Sequence, residues 1–432
     1  MAECLFIGVL ITFVYRYAYH GQRLFCRGAR EKDGTRVPTT GRSITERADN
    51  GRYVGLAPVR DGNPVPIRVA QVVGRMMGGG VEATVMNHYR HIDRSQVQFD
   101  FIVQTDSTMV PKDEIESLGG RVFYVPPYSN PVKYVNACRK LFQQIHPRIV
   151  HSHMNAVSVF TLMAAKQAGV PVRIAHSHST SNPNEKAKTL VKNVLRPFSK
   201  VYPTHLAACG DYSARWLFGD QTVDQGKVKI IRNAIELDRF AFDEEARTRL
   251  RKEIEASDDI RVIGQVGRFS AQKNQLFSLD VLAELVKKNP RVLLVFLGVG
   301  DDMDKVKAKA HDLGLSDHVR FLGMRSDVNE WYSAFDVLLF PSLYEGLPLT
   351  AVEAQVSGLP LVVSDKVPKE ADLIPSLVRR ISLDAGIESW VSAFDAHESD
   401  ASGRVSHVQE IAKRGYAIHL SAAELVHWYK KL

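Results

Sequence analysis

The chain has 432 residues, 45% hydrophobic and 24% charged, with a formal net charge of +8. That is the composition of a soluble globular protein, and the length fills two domains with complete cores. Four cysteines, at 4, 26, 138 and 209, show neither metal-ligand spacing nor a disulfide framework, which fits a reducing compartment. The positive balance points to anionic partners: phosphorylated substrates, nucleic acid or an acidic membrane surface.

The first 66 residues differ from the rest. The run Cys4 to Val14 is apolar but has only 11 residues and is followed by Arg16, too short to span a bilayer. Residues 15–66 are rich in Arg, Gly, Thr and Pro and show no periodicity, so residues 1–66 are expected to be a disordered basic extension. A weak anchor on a membrane surface is the alternative.

Order begins at Ile67. Strands are expected at Ile67–Val73, Gln98–Val103, Arg121–Val125, Arg148–His153 and Val172–His178, with shorter ones at Ala207–Cys209 and Val228–Ile231. A Gly-rich turn, Gly74 to Glu82, follows the first of them. Helices are expected over Val81–His91, Tyr134–Ile145 and Val157–Gln167. Glu185 to Val201 reads as one amphipathic helix. Leu190, Val191, Val194, Leu195 and Phe198 share its apolar face, and Lys188, Lys192, Arg196 and Lys200 form a basic stripe. Such a helix either faces the core with solvated lysines or lies on an anionic membrane. Aromatics do not interleave with its basic residues, so nucleic acid is a poor fit.

The segment Ile235 to Asp259 is charged and poor in apolar residues, and reads as the seam between domains. The pattern then restarts, with strands at Val262–Val266, Val292–Leu297, Val319–Leu322, Ala334–Phe340 and Leu361–Val363. Ser421-Ala-Ala-Glu424 has the form of a capping box opening a last helix through Trp428. Strands alternating with helices predict an α/β chain of two parallel-sheet, Rossmann-like domains facing a cleft, with the last helix packing back toward the first domain. The expected divisions are 1–66, 67–240 for an acceptor-side domain, 241–400 for a donor-nucleotide domain, and 401–432 for the terminal helices.

Three features of the second domain fall at carboxyl ends of strands, where open α/β sheets bind ligands. Arg268 and Lys273 flank a helix start after the first strand, a planar fork and a point charge suited to a diphosphate. Phe321-Leu-Gly-Met324-Arg325 ends a strand in a turn whose main chain can hydrogen-bond a flat base. Glu345 and Glu353 have seven residues between them, around a helix start at Pro348. The amides of Gly346, Leu347 and Leu349 there would form an anion site. In the first domain Gly78-Gly79-Gly80 permits close backbone approach, but neither the dinucleotide G-x-G-x-x-G spacing nor a P-loop is present. Two His-Ser-His tripeptides, 151–153 and 176–178, end strands. No carboxylate or cysteine completes a metal set, so hydrogen bonding to substrate or to neighbours is expected instead.

In this order, Gly267-Arg268 to Lys273-Asn274, Phe321-Leu-Gly323, Phe340-Pro-Ser-Leu-Tyr-Glu345-Gly346 and Glu353-Ala354 resemble family 4 of the retaining glycosyltransferases. The Gly78–Glu82 loop and His178 resemble that family's first domain. The likeness covers about residues 67–432 and is strongest toward bacterial capsular and exopolysaccharide glycosyltransferases.

The resemblance implies the two-domain GT-B fold and a nucleotide-diphosphate sugar donor, the UDP form foremost. It implies a saccharide or lipid-linked saccharide acceptor, no metal and no cofactor. Under it Arg268 and Lys273 bind the donor diphosphate, with Met324 and Arg325 near the base. Glu345 with Gly346 to Leu349 contacts sugar and phosphate, and Glu353 takes the ribose. Gly79 and Gly80 line the cleft, and His178 lies near donor sugar and acceptor. The catalytic set it implies is Glu345, Arg268, Lys273 and His178. The expected location is cytoplasmic, with peripheral membrane contact through the 185–201 helix. Leu347-Pro348 departs from the aromatic and glycine of many members, so the donor sugar is left open. Two other readings are an epimerase of nucleotide sugars on the same fold and a non-catalytic binder of them.

Overall fold

The computed structural model describes residues 65–178, 186–395 and 403–432. The amino-terminal extension, with Cys4 and Cys26, lies outside them except for Val65 and Pro66.

Seven parallel strands form the first sheet: β1 (Ile67–Gly74), β2 (Val97–Gln104), β3 (Arg121–Val125), β4 (Ile149–Ser152), β5 (Val172–Ser177), β6 (His205–Ala208) and β7 (Val228–Ile230). Their order is β3-β2-β1-β4-β5-β6-β7. The second sheet has six parallel strands: β8 (Arg261–Val266), β9 (Val292–Leu297), β10 (Val319–Phe321), β11 (Val337–Phe340), β12 (Leu361–Ser364) and β13 (Val378–Ile381), in the order β10-β9-β8-β11-β12-β13. Helices cover both faces, so central strands are buried throughout; every residue of β2 and of β9 is buried. In each sheet the winding reverses beside the first strand, between β1 and β4 and between β8 and β11. A crevice opens at such a switch point, beyond the strands' carboxyl ends. The Gly-rich turn leaves β1 and the Gly267–Asn274 loop leaves β8.

The last helix, Ile418–Lys431, returns to the first domain. Its Ala422, Leu425, Val426 and Tyr429 join Val69, Phe99 and Phe101 in one apolar cluster against the first sheet. Burying each of the larger side chains there stabilises the fold by about 1.5–3 kcal/mol. Two domains of parallel sheet with a returning helix are what the strand–helix alternation predicts.

Several expectations need correction. The last helix starts at Ile418, so Ser421 lies inside it and does not cap it. The Ser421 hydroxyl instead meets His88 Nε2 at 3.0 Å. The run from Ala334 is not all strand: Ala334 ends the helix Val328–Ala334, and β11 begins at Val337. The basic segment is not one helix. An α-helix spans Lys186–Leu195 and a 3₁₀ turn spans Arg196–Lys200, because Pro197 lacks the N–H to continue it. Leu190, expected on the apolar face, is 56% exposed.

The segment 235–259 contains the helix Glu244–Glu253, which packs on the second domain. Its Arg247 and Arg251 pair with Asp336 at 2.6 and 3.0 Å, and Leu250 is fully buried. β13, Val-Arg-Arg-Ile, was not anticipated. As an edge strand it carries too few apolar residues to signal itself.

Candidate functional site

The loop after β8 is fixed by its own polar side chains. Gln265 Nε2 donates to the Lys273 carbonyl at 2.8 Å, and Gln275 Nε2 donates to the Arg268 carbonyl at 2.9 Å. Asn274, left-handed at φ 56°, donates from Nδ2 to the Pro341 carbonyl at 3.2 Å, which ties the loop to the end of β11. Gly298 after β9 lies so close that a Cβ there would meet the Gly267 carbonyl oxygen at 2.1 Å. This backbone seats Lys273 with its ammonium 4.6 Å from the Phe340 ring centroid, a cation–π contact. Lys273 Nζ donates to Glu345 Oε1 at 2.8 Å.

Glu345 is almost fully buried, at 7% exposure, in the loop between β11 and the helix Leu349–Val356. Pro348 stands at the helix cap, one residue before the first turn. The amides of Gly346 and Leu349 donate no hydrogen bond among the described residues, while the Leu347 amide is turned to the Cys209 thiol. A helix start with free N–H groups beside a lysine favours an anion. One turn on, Glu353 accepts from the Tyr332 hydroxyl at 2.5 Å. Burial pushes its carboxyl above the usual range, against the opposing pulls of that hydrogen bond and of Lys273. Burial also pushes the Tyr332 phenol well up, so it stays a donor.

The turn after β10 presents Met324, 59% exposed. The amides of Met324 and Arg325 donate nothing among the described residues. The Arg325 side chain is otherwise engaged. It is forked between Asp327 and Glu253, with shortest contacts of 2.7 Å to each, and lies 5.5 Å from the Trp331 ring centroid.

Across the cleft, Glu82 organises the Gly-rich turn. Its carboxylate accepts from the Met77 and Gly79 amides at 2.8 and 2.7 Å. Gly78 is left-handed at φ 76°, and a Cβ on Gly80 would meet nothing within 4 Å, so the backbone there is open to a ligand. Arg268, exposed, reaches over from the second domain and donates from Nη2 to the Met77 carbonyl at 2.9 Å. Arg268, Lys273, Glu345 and the Gly78–Gly80 turn therefore border one cleft. His178 stands at the end of β5 in the first domain. Its carbonyl accepts from the Cys209 thiol at 3.5 Å, and Cys209 belongs to the second domain's apolar cluster together with Leu347.

The four histidines of the two His-Ser-His runs are buried and mutually bonded. His151 Nε2 lies 3.0 Å from His176 Nδ1, and His153 Nδ1 lies 2.8 Å from His178 Nε2. Burial drives all four below the ordinary histidine range, His178 to about 3. Nitrogens of His151, His153 and His176 come within 4.8 Å of one another. Five of those three rings' six nitrogens already hold hydrogen bonds, a poor start for a metal centre.

Sequence reasoning missed Tyr332, Gln71, Tyr429, Asn233 and Glu370. Asn233 Nδ2 donates to the Leu347 carbonyl at 3.0 Å, across the domains. Glu370 accepts from the amides of Asp211 and Tyr212, at 2.9 and 3.3 Å, at the start of a first-domain helix. Glu370 lies in a 3₁₀ turn, Lys369–Ala371, beyond the end of β12, and nothing in the local pattern marks it.

Residues 78–239 match the family model described as Glycosyltransferase Family 4, and residues 246–416 match the one described as Glycosyl transferases group 1. Over 371 residues the chain is 36% identical to the "Putative glycosyltransferase EpsF" of Bacillus subtilis (strain 168), covering 84% of this chain and 96% of that protein. Over 310 residues it is 26% identical to the Escherichia coli "UDP-Gal:alpha-D-GlcNAc-diphosphoundecaprenol alpha-1,3-galactosyltransferase", covering 69% and 79%. The solved structure of Anabaena HepE in complex with UDP and glucose matches with a TM-score of 0.69 at 18% identity, covering 85% of this chain and all of that one.

Proposed function

Because this chain belongs to the family 4 glycosyltransferases and has their GT-B fold, we propose that it moves a sugar from a UDP-sugar to a saccharide or lipid-linked saccharide in cell-surface polysaccharide synthesis. The reaction retains anomeric configuration and uses no metal and no cofactor. The observation that carries this reading is Lys273 beside Glu345, with the free amides of Gly346 and Leu349 next to them. Cations and helix-start amides converge there on a place for a diphosphate. The Escherichia coli relative is named for a UDP-sugar donor and a diphosphoundecaprenol acceptor, which supports both substrate classes.

When the sugar leaves, charge builds on the diphosphate oxygen. Arg268, Lys273 and the amides are already oriented to stabilise it, which is the work a divalent cation would otherwise do. Glu345, released from Lys273 as the diphosphate takes its place, holds the sugar. Glu353 accepts from the ribose, and the Met324–Arg325 main chain meets the base. Gly79 and Gly80 let the first domain close on the phosphates and exclude water. His178 lies on the acceptor side, where the incoming hydroxyl attacks the face that the diphosphate leaves.

Among the described residues no helix is long and apolar enough to cross a membrane. The exposed Leu190 and Val201, beside the exposed Arg196 and Lys200, favour contact with the anionic inner face of the cell membrane, where a lipid-linked acceptor lies. The test is purified protein with a panel of UDP-sugars and lipid-linked saccharides, followed by UDP release and product analysis. A glycosylated product supports the reading. An epimerised nucleotide sugar formed without acceptor overturns it.

A further inference from the structure

We propose that Gln71 and Tyr429 are positioning residues that hold His178 as its Nε2–H tautomer and leave its Nδ1 lone pair to accept a hydrogen bond from a substrate hydroxyl. The proposal rests on the reading above that His178 faces the sugar substrates.

Six side chains form one unbroken line. Burial keeps the four histidines neutral, so each ring has one N–H and one bare nitrogen. The Gln71 amide sets the direction, because its two ends differ. Gln71 Nε2 donates to Tyr429 Oη at 3.0 Å. Having accepted there, the phenol gives its one proton to His151 Nδ1, 2.6 Å away. His151 therefore carries its hydrogen on Nε2 and donates to His176 Nδ1 at 3.0 Å. On the other side, Gln71 Oε1 accepts from His153 Nε2 at 2.8 Å. That leaves His153 Nδ1 bare, and it accepts from His178 Nε2 at 2.8 Å. His178 Nδ1 is then the bare end of the line.

The two ends of this line are buried nitrogens without a hydrogen-bond partner: His178 Nδ1 and His176 Nε2. Buried polar atoms are rarely left so, and on the reading above His178 faces the sugar substrates, whose hydroxyls can supply the partner its Nδ1 lacks. The His178 amide is pinned to Asn155 Oδ1 at 2.6 Å, so its backbone is fixed as well as its tautomer. Turning the Gln71 amide over would reverse every bond and move the His178 proton to Nδ1. The direction of the line thus decides whether His178 accepts from a hydroxyl or donates to it. Tyr429 enters from the last helix, 278 residues after His151, so the chain's end sets the chemistry at the cleft.

The test uses the full chain with ¹⁵N-labelled histidine and long-range ¹H–¹⁵N correlation at neutral pH, without substrate. His178 is assigned by its loss in His178→Gln. In the wild type its Nδ1 should resonate as a bare, pyridine-type nitrogen and its Nε2 as a protonated one. Gln71→Met and Tyr429→Phe keep the side-chain volume, and each should shift Nδ1 toward the protonated position as the tautomers mix. In the same variants kcat for UDP release, with whichever of UDP-galactose and UDP-glucose the wild type uses, should fall on the order of tenfold with donor KM nearly unchanged. Circular dichroism and a cooperative melt show that each is folded, and Gln71→Met alone suffices if Tyr429→Phe is not. A wild-type His178 protonated on Nδ1, or a tautomer unchanged in the folded variants, overturns the relay. Tautomers that shift while kcat does not would overturn the assignment of that lone pair to substrate, and with it the acceptor-side placement of His178.

Discussion

Lys273 and Glu345 neutralise each other at 2.8 Å, with 17% and 8% of their side chains exposed. They lie 72 residues apart in sequence and meet because β8 and β11 are neighbours, with Ile263 paired to Val337. Each is the other's counter-charge until a ligand intervenes. A nucleotide diphosphate would take Lys273 and free Glu345 for the sugar.

Breaking this pair from one side leaves a buried charge uncompensated. Lys273→Met and Glu345→Gln are each expected to lose about 1–3 kcal/mol of stability. Each should also reduce transfer by at least about a hundredfold. The double variant should be less destabilised than the sum of the two. Urea melts and UDP-release rates measure this, and additive effects would show that the two groups do not interact.

Glu353 should make stability depend on pH in an unusual direction. Its folded carboxyl is held above the ordinary range by burial, so the folded chain keeps a proton that the unfolded chain has already lost. Stability from this group therefore falls as pH rises through its folded value. Glu353→Gln, which can still accept from Tyr332, should gain on the wild type as pH rises above the ordinary carboxylate range. Donor binding by this variant should weaken by about tenfold if the ribose is its partner. A stability difference independent of pH would contradict the first expectation.

The histidine line and His88 work in the opposite direction. Their folded values lie below the ordinary range, His88 at about 4 and His178 at about 3, while unfolded histidines protonate from about pH 6.5. The unfolded state then binds more protons, and stability is lost as pH falls from about 7 to about 5. Each histidine contributes up to about 1.4 kcal/mol per pH unit, so the decline should be steep. His88→Gln should remove about one histidine's share. A flat profile over that range would mean that the rings are accessible to protons in the folded chain.

Much of this architecture was legible from the sequence, and the exceptions share a cause. Val292–Leu297 is an uninterrupted apolar run, and it is β9 at the bounds expected. The Gly-rich turn, Arg268, Lys273 and Glu345 were visible because strand ends place residues at a crevice. β13 was not, because Arg379 and Arg380 dilute the apolar signal, and Arg380 is held by Asp372. Ser421-x-x-Glu424 has the spacing of a cap, but the helix had already begun and Ser421 bonds His88. Tyr332, Gln71 and Tyr429 matter through their partners, and Gln71 meets Tyr429 across 358 residues. Nothing in a local pattern encodes such a contact.

The domains are also joined by a latch. A Cβ on Gly210 would stand 2.3 Å from Glu370 Oε1, so Gly210→Ala must push that carboxylate off the amides of Asp211 and Tyr212. Loss of this cap should cost about 0.5–2 kcal/mol, as should Glu370→Ala. Small-angle scattering should show a larger radius of gyration for both variants. Unchanged dimensions would mean that Asn233–Leu347 and Arg268–Met77 hold the domains together without it.

The central claim is that the cleft between Lys273, Glu345 and the Gly78–Gly80 turn transfers sugar from a UDP-sugar. The measurement that meets it most directly is UDP release with a lipid-linked saccharide acceptor, by the wild type and by folded Lys273→Met and Glu345→Gln. The account predicts release coupled to a glycosylated product in the wild type, and its loss in both variants. Full release by both variants would contradict it.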